Sequence, residues 1–282
     1  MRDNLMRIGL TLGGGGARGL SHIRFIQVLD ELNITPSVIS GTSIGAIIGA
    51  FYAAGMSGSQ MIRLLYRIGL PEIGRMVDFN IFGRTALLKG RGVEGFLHKH
   101  IPANTFQDLK IPLKIVTTDF WRRKQIVLES GALIPAIRAS MSLPGLFEPV
   151  RIGNTVLIDG GAVNPVPCDI IRGLCDLLIA IDVSGGHYPD HENAVPGMFD
   201  SIMSTFDIMM ASIMENQMKS VRPDIIIRPD LSKYHILDFH LAEKIIEGVD
   251  ADVDRFRMTL RQHLDMMKGR SFWKKRRKTV ND

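Results

Sequence analysis

Short apolar runs alternate with helical patterns along the chain, and this alternation constrains the fold more than any other feature. Segments with apolar residues at helical spacing, such as residues 19–32, separate most of the runs. Such a repeat favours a largely parallel sheet with helices on both faces. We therefore expect an α/β fold with three layers, α/β/α. The expected buried strands are Ile8–Leu12, 38–40, 113–117, 126–128, 156–158, 177–183 and Ile225–Ile227.

The composition is that of a globular protein able to fill a sizeable core. Of the 282 residues, 45% are hydrophobic and 22% are charged. The most apolar stretch, residues 44–56, is shorter than the roughly 18 residues that span a bilayer, so we interpret it as a buried helix. Two cysteines, Cys168 and Cys175, are too few for a disulfide framework and are expected in the core. No secretory signal precedes the first strand, and we expect a cytoplasmic protein.

The net charge of +5 is concentrated at the end of the chain. Residues 270–282 contain six basic residues and one acidic residue, and the charges elsewhere balance. Such a tail is either a solvated terminus or an attachment to an anionic surface. Phe272 and Trp273 favour a membrane over nucleic acid, because aromatic rings settle at the headgroup level beside basic residues. The tail is therefore a candidate for peripheral contact with an anionic membrane.

Three further segments have an open role. Residues 69–112 are irregular and rich in Gly, Arg and Lys, which fits either a lid or a surface excursion. Residues 198–218 carry six methionines on a predicted helix, which fits either core packing or an adaptable apolar binding surface. A final amphipathic helix is expected at 241–267, with its apolar face used for packing.

Ser43 lies in the pattern Gly41-Thr42-Ser43-Ile44-Gly45, between a predicted strand and the apolar helix. A sharp strand-to-helix turn projects a nucleophile from the sheet, and glycines two residues before and after it relieve backbone crowding. The helix N-terminus also brings a positive dipole end close to the serine. We interpret Ser43 as the nucleophile of a serine hydrolase that cleaves esters.

A glycine-rich loop at residues 13–19 connects the first strand to the first helix. A P-loop is excluded, because Leu20 stands where that motif requires lysine. The spacing Gly14-x-Gly16-x-x-Gly19 fits a dinucleotide-binding loop, although the acidic residue expected at the end of the second strand is missing. Free N–H groups at a helix N-terminus also suit an oxyanion hole. The last two interpretations both remain open from the residues alone.

The base that would activate Ser43 has candidates of two kinds. None of the eight histidines has a persuasive setting, and His187 and His191 are the best placed, because they follow the predicted strand at 177–183. Asp119, Asp159 and Asp182 each follow a buried run. Asp159 is distinguished by the two glycines after it, which leave bare backbone where a substrate would approach.

These residues, taken together and in this order, resemble the patatin-like phospholipases, in particular the bacterial branch. The resemblance covers about residues 8–183 and is loose beyond about 190. One departure is Gly13, where many relatives have an acidic residue. The matching blocks are Gly14-Gly15-Gly16-Ala17-Arg18-Gly19, Gly41-Thr42-Ser43-Ile44-Gly45, Ser140-Met141-Ser142-Leu143-Pro144-Gly145-Leu146-Phe147-Glu148-Pro149, Asp159-Gly160-Gly161 and Asn164-Pro165-Val166-Pro167.

The resemblance implies a Ser–Asp dyad, with Ser43 as nucleophile and Asp159 as base, and an oxyanion hole from Gly14, Gly15 and Gly16. It implies hydrolysis of phospholipids, lysophospholipids or other acyl esters, with no metal or organic cofactor. The implied role of Arg18 is open. Alternatives are a dinucleotide-binding protein that uses the glycine loop, or a regulatory member of the fold with little turnover.

The expected organisation has three parts. Residues 7–205 would form the patatin-like domain, 206–268 a strand and helices packed on the same domain, and 269–282 the basic tail. The expected partners are an acyl-ester substrate and an anionic membrane surface, without nucleic acid. The sequence does not indicate an oligomeric state.

Overall fold

The structure is a computed structural model that describes residues 6–68, 86–184 and 195–278. For residue 199 and residues 268–278 it describes the backbone alone. His187, His191 and residues 69–85 of the segment 69–112 lie outside the described residues. The strands, numbered in chain order, are β1 Ile8–Leu12, β2 Val38–Thr42, β3 Ala86–Leu88, β4 Leu113–Asp119, β5 Lys124–Leu128, β6 Gly145–Phe147, β7 Val150–Ile152, β8 Thr155–Asp159, β9 Leu177–Ile181 and β10 Ile225–Ile227.

Helices connect most of these strands. Short 3-10 turns at Gly16–Ser21, Phe106–Asp108, Gly160–Ala162, Arg172–Leu174 and Phe239–Leu241 complete the described elements. The α-helices, numbered in the same way, are α1 His22–Glu31, α2 Ile44–Ala53, α3 Gly58–Arg67, α4 Arg91–His100, α5 Leu133–Ser140, α6 Met198–Ser220, α7 Ala242–Glu247 and α8 Asp250–Lys278.

One mixed sheet forms the centre of the molecule. Its parallel part has the order β10-β9-β1-β2-β4. β5 and β8 each pair with β4 in antiparallel orientation, and β7 pairs with β8 in the same way. β3 and β6 form a separate two-stranded parallel pair. The parallel strands are almost wholly buried, which fits the continuous apolar runs that such strands require.

The inner strand β9 buries both of its faces. Along β9, Leu177, Ile179 and Ile181 join one apolar cluster, while Leu178 and Ala180 join another. The first cluster contains residues of α1, α2, α5 and α8, and the second contains residues of α6 and of the segment before β9, including both cysteines. Helices therefore cover both faces, and the expected three-layer α/β/α fold with a mainly parallel sheet is confirmed.

β2 and β8 lie end to end along the same edge of β4. β5 pairs with Ile115–Asp119 of β4 from one side. On the other side, β2 pairs in parallel with the first half of β4, and Thr42 lies opposite Val116. β8 pairs in antiparallel orientation with the second half, and Asp159 lies opposite Thr117. The C-terminal ends of β2 and β8 therefore meet head-on, although they are far apart in the chain.

Several sequence-based boundaries differ from the structure. The run at 126–128 was expected to be a buried strand, but β5 is an edge strand with half-exposed residues, because only β4 pairs with it among the described strands. The expected boundary between 205 and 206 falls inside α6.

The single helix expected at 241–267 is two helices, α7 and α8. They separate at Gly248, which has low helix propensity, and Asp250 and Asp252 favour the new N-terminus. α8 continues through the basic residues to Lys278, since lysine and arginine favour the C-terminal end of a helix. In the part of the chain that the structure covers, no helix is long and apolar enough to cross a membrane.

Candidate active site

Ser43 occupies the turn between β2 and α2 in a strained conformation. Its φ of 55° and ψ of −122° lie in a region that side-chain-bearing residues rarely adopt. A Cβ at Gly41 would lie 2.6 Å from the carbonyl oxygen of Gly45, and one at Gly45 would overlap the carbonyl of Leu12. The two glycines therefore allow α2 to start directly above the strand ends, as the pattern around Ser43 predicts.

The backbone of Ser43 is held by Ser140, the last residue of α5. The N–H of Ser43 donates to Ser140 Oγ at 2.9 Å, and Ser140 Oγ donates to the carbonyl of Val116 at 2.7 Å. Val116 is the last residue of β4 that pairs with β2. Ser140 thus connects the turn to β4 at the junction between the part of β4 that pairs with β2 and the part that pairs with β8.

Asp159 ends β8 beside Ser43 and is almost fully buried, with 2% of its surface exposed. The N–H of Gly161 donates to its Oδ1 at 2.7 Å. Burial raises the pKa of Asp159 to about 6, and the hydrogen bonds from Gly161 and from the Ser43 side chain oppose that rise. The carboxyl is therefore a stronger base than an exposed aspartate, and it lines the same cleft as Ser43.

The glycine loop supplies free N–H groups to the cleft that Ser43 lines. Gly15 and Gly16 line the same cleft as Ser43 and Asp159. The N–H of Gly14 already donates to the carbonyl of Pro165 at 2.9 Å, and Gly14 is not among the lining residues. Within the described parts of the chain, no acceptor bonds the N–H groups of Gly15 and Gly16. Of the three expected oxyanion-hole residues, Gly15 and Gly16 fit that role, and Gly14 does not.

The cleft around these groups is mostly apolar. It contains about 570 Å³ of space not filled by atoms, part of it open to solvent. Ile44, at the start of α2, lies beside Ser43, and its N–H has no partner within α2, because the first residues of a helix lack one. The other apolar lining residues are Ile47, Met141, Leu143, Leu146, Phe147, Phe206, Met210, Ile236, Leu237 and Phe239.

A model of the patatin family, described as patatin-like phospholipase, matches residues 10–172, which is more than half of the chain. The chain belongs to the patatin-like phospholipase family. This confirms the resemblance found in the sequence motifs, all of which lie inside the matched region.

Individual relatives span a wide range of organisms. An uncharacterized NTE family protein of Mycobacterium tuberculosis is 30% identical over 290 residues, which cover 91% of this chain and 46% of that protein. Patatin-like phospholipase domain-containing protein 7 of Rattus norvegicus is 35% identical over 193 residues, covering 66% of this chain and 14% of that protein. The crystal structure of VipD from Legionella pneumophila aligns with a TM-score of 0.49 at 15% identity, over 90% of this chain and 67% of that chain. The chain spans about half the length of the mycobacterial relatives it matches.

Arg18, the basic residue of the patatin-like glycine motif, is buried, with 1% exposed. Its Nε donates to the carbonyl of Gly15 at 3.3 Å, and its guanidinium pairs with Asp207 of α6 at 2.9 Å. Gly19 contacts the side chain of Ile44 so closely that a Cβ would overlap it. Arg18 therefore connects the glycine loop to α6, and Gly19 allows the loop to pack on α2.

His22 is hydrogen-bonded to the backbone of the glycine loop. Its Nε2 lies 2.9 Å from the carbonyl of Gly13, and burial lowers its pKa to about 4. The ring is therefore neutral near pH 7 and donates Nε2–H to Gly13. None of the six histidines in the described residues lines the cleft, and the two candidates at 187 and 191 lie outside those residues.

The two alternative carboxylates, Asp119 and Asp182, bond to groups other than Ser43. Asp119 accepts hydrogen bonds from the backbone and side chain of Arg122. Asp182 bonds Ser184 and pairs with Arg228 at 3.0 Å. Of the three aspartates that the sequence singles out, the fold brings only Asp159 to the nucleophile.

Two glycines of the loop pack closely against neighbouring backbone. Gly16 has a φ of 57°, and a Cβ there would overlap the carbonyl of Ile236. A Cβ at Gly15 would likewise overlap the carbonyl of Val183. Packing within the chain therefore requires these two glycines, whether or not the loop binds a ligand.

The C-terminal third of the chain contributes cleft residues that sequence analysis did not identify. Phe206, Asp207 and Met210 come from α6, and the segment 236–239 adds three more. The methionines of α6 divide between two environments. Met203, Met210 and Met214 are buried, whereas Met198 and Met209 are exposed. The helical methionine pattern was the available signal; core packing is confirmed for the three buried methionines, and the adaptable binding surface stays a prediction.

Proposed function

We propose that this protein hydrolyses acyl esters of phospholipids or lysophospholipids, with Ser43 as nucleophile and Asp159 as base. The observation that carries the proposal is the buried carboxyl of Asp159, which lines the same cleft as a serine in a strained strand–helix turn. The two groups face an apolar cleft beside free backbone N–H groups. Membership of the patatin-like phospholipase family supports the same reaction class.

The first half-reaction acylates Ser43. Asp159 accepts the hydroxyl proton as Ser43 Oγ attacks the ester carbonyl carbon. The negative oxygen of the tetrahedral intermediate accepts hydrogen bonds from the N–H groups of Gly15 and Gly16, and from Ile44 at the positive end of α2. Collapse breaks the bond to the leaving oxygen, which takes the proton from Asp159 and departs as an alcohol. The fatty acyl group remains esterified to Ser43.

The second half-reaction uses water in place of the serine. Asp159 accepts a proton from the water molecule, whose oxygen attacks the acyl carbon. The same N–H groups stabilise the second tetrahedral intermediate. Ser43 Oγ leaves with the proton held by Asp159, and the free carboxylic acid is released. Because Asp159 loses each proton that it gains, the dyad needs no third residue to return to its starting state.

A lipid acyl chain fits the composition of the cleft. Its lining consists of aliphatic, methionine and phenylalanine side chains, and Asp159 and Asp207 are the charged residues among those lining it in the described structure. Apolar pockets with a few placed polar groups are typical of sites for largely apolar ligands. The basic residues at 270–278, on the end of α8, would assist contact with an anionic membrane.

The test compares Ser43→Ala with Ser130→Ala, which changes an exposed serine outside the cleft. Hydrolysis is measured on a soluble short-chain ester and on phospholipid and lysophospholipid vesicles. We expect Ser43→Ala to lose hydrolysis of both kinds of substrate and to remain folded, and Ser130→Ala to keep wild-type rates. Retention of normal esterase activity by purified, folded Ser43→Ala would refute the proposal.

Labelling by a fluorophosphonate separates this proposal from its alternatives, because the reagent reports an activated serine without any nucleotide. Wild type should be labelled at Ser43, and Asp159→Asn should be labelled far more slowly. A chain that is not labelled and that binds a dinucleotide would belong to the alternative class. Labelling without turnover on any lipid would indicate a regulatory member of the fold.

A further inference from the structure

The turn between β4 and β5, at residues 120–123, exposes aromatic and basic side chains together. Trp121 is 74% exposed and Phe120 is 46% exposed, and their rings pack edge to face at 4.9 Å. Arg122, Arg123 and Lys124 follow them and are also exposed. We call residues 120–124 the aromatic–basic tip. Two large exposed aromatic rings beside three consecutive cations are unusual for a surface that faces only water.

The tip has a defined shape. Asp119, which is buried, accepts hydrogen bonds from the N–H groups of Trp121 and Arg122 at 3.1 and 3.0 Å. The Arg122 side chain pairs with the same carboxyl at 3.0 Å. Arg123 adopts a φ of 54°, which closes the turn. The buried carboxylate therefore fixes the turn and directs Trp121 outward, so the exposure is built into the hairpin.

The tip stands at the end of the sheet where the proposed active site lies. β4 runs parallel to β2, and Thr42 lies opposite Val116, so Thr117 is level with Ser43. Phe120 is three residues further along, which places the tip about 10 Å beyond the nucleophile at the rise of a β-strand. The tip therefore lies beyond the nucleophile, at the end of the sheet that carries the cleft.

The charge around the tip is positive. The N–H of Phe120 donates to the carbonyl of Val156 in β8, which lies opposite the exposed Arg151 of β7, so Arg151 stands at the same level. Arg123, Lys124 and Arg151 have no acidic partner among the residues that the structure describes. No Asp or Glu occurs at 120–128 or 149–158. Arg122 pairs with Asp119, whereas Arg123, Lys124 and Arg151 present three cations that no described acidic residue neutralises.

We propose that the aromatic–basic tip is the surface by which this protein docks on an anionic lipid bilayer. Tryptophan and phenylalanine settle at the headgroup level of a membrane, and lysine and arginine beside them are attracted to anionic headgroups. With the tip at the interface, Ser43 stands about 10 Å above it, which is slightly more than the roughly 5–8 Å thickness of one headgroup layer. An acyl ester lifted from the bilayer would then reach Ser43. The inference takes the identity of the substrate from the proposed function, whereas the binding surface itself does not depend on that function.

The test measures binding of the full chain to vesicles of phosphatidylcholine alone and of phosphatidylcholine mixed equally with phosphatidylglycerol. Arg123→Glu combined with Lys124→Glu should weaken binding to the anionic vesicles by at least about 25-fold, since each basic residue near an anionic surface contributes roughly fivefold. Trp121→Ala should weaken binding to a smaller extent, and Trp121→Phe should restore part of it.

The matched control reverses two exposed cations at the other end of the sheet. Lys219→Glu combined with Arg222→Glu changes the net charge equally, but these residues lie just before β10, where the parallel strands begin. We expect this variant to bind anionic vesicles nearly as wild type does. Equal losses in the two double variants would show that net charge alone governs binding, and would overturn the proposal. Unchanged binding by the variant with Arg123→Glu and Lys124→Glu would also overturn the proposal and would indicate that the tip binds a protein partner instead.

A second measurement follows the tip directly. The chain has two tryptophans, so Trp273→Phe leaves Trp121 as the sole indole. Its emission should shift to shorter wavelength on addition of anionic vesicles, and brominated lipids should quench it. An emission spectrum that does not change in vesicle-bound protein would place Trp121 in water and would contradict the proposal.

Hydrolysis of a soluble short-chain ester distinguishes failure of this proposal from failure of the proposed function. The tip variants should keep the wild-type rate on the soluble ester and lose rate on anionic vesicles. Ser43→Ala should bind vesicles normally and hydrolyse neither substrate. Normal hydrolysis by Ser43→Ala would refute the enzymatic proposal while leaving the binding surface standing.

Discussion

Replacing Asp159 by Asn should abolish ester hydrolysis and at the same time stabilise the fold above pH 6. The carboxyl is buried at the meeting point of β2 and β8, where ionisation is unfavourable. An asparagine side chain has nearly the same shape, accepts the hydrogen bond from the N–H of Gly161 through its Oδ1, and carries no charge. The variant therefore removes the buried charge and keeps the packing.

The magnitude follows from the pKa. Burial raises the pKa of Asp159 from 3.8 to about 6, and each unit corresponds to about 1.4 kcal/mol, so ionisation costs the folded state about 3 kcal/mol. The folded state binds the proton of Asp159 more tightly than the unfolded state does. Protonation therefore stabilises the folded wild type fully below pH 3.8, and this stabilisation is lost as the pH rises through about 6. Asparagine does not titrate, so the advantage of the variant should be about 1 kcal/mol at pH 4.5 and about 3 kcal/mol at pH 8.

Urea unfolding of wild type and Asp159→Asn at these two pH values measures the difference. Asp265→Asn, at an exposed position on α8, controls for loss of a surface carboxylate and should change the free energy of unfolding by less than about 0.5 kcal/mol. Hydrolysis of a soluble ester is measured on the same samples. If the advantage of Asp159→Asn is equal at pH 4.5 and pH 8, burial does not raise the pKa of this carboxyl, and the reasoning fails.

Three further predictions concern the same centre. The kcat/KM of the wild type on a soluble ester should fall about tenfold per pH unit below about 6, since a protonated Asp159 cannot accept the proton of Ser43; a profile that is flat from pH 5 to 7 would exclude this base. Ser140→Ala should lower kcat with little change in KM and cost about 1–3 kcal/mol of stability, because the N–H of Ser43 loses its acceptor; steady-state kinetics and urea unfolding test both effects. Gly45→Ala should prevent correct folding, because its methyl group would overlap the carbonyl of Leu12; a soluble variant with wild-type circular dichroism would contradict this.

The sequence alone was sufficient for features determined by local geometry. The turn at Ser43 requires small residues two positions away on each side, and Gly41 and Gly45 supply them in a recognisable pattern. The runs at Ile8–Leu12 and Ile225–Ile227 match the strands residue for residue, and the first of them is fully buried, as continuous apolar strands usually are.

Features that depend on contacts distant in sequence were not predictable in the same way. Nothing in the residues around Asp159 shows that β8 runs antiparallel, because that orientation depends on its pairing with β4 and β7. The partner of Gly14 is also remote, so the loss of its N–H to Pro165 could not be foreseen from the loop. The lining residues of α6 come from a region where the resemblance to the family is loose, and only the fold places Met210 against Gly161.

The head-on arrangement of β2 and β8 gives a physical reason why two residues suffice in the proposed mechanism. In a triad, a histidine spans the gap between the serine and a carboxylate and supplies a base with a pKa near neutrality. Here both strands end on the same edge of β4, so Asp159 lies beside Ser43, and no histidine of the described residues lines the cleft that they share. The same enclosure removes water from the carboxyl and raises its pKa to about 6, close to that of a histidine. The fold thus supplies through burial the basicity that a histidine would supply through its chemistry, at the expense of about 3 kcal/mol of stability at neutral pH.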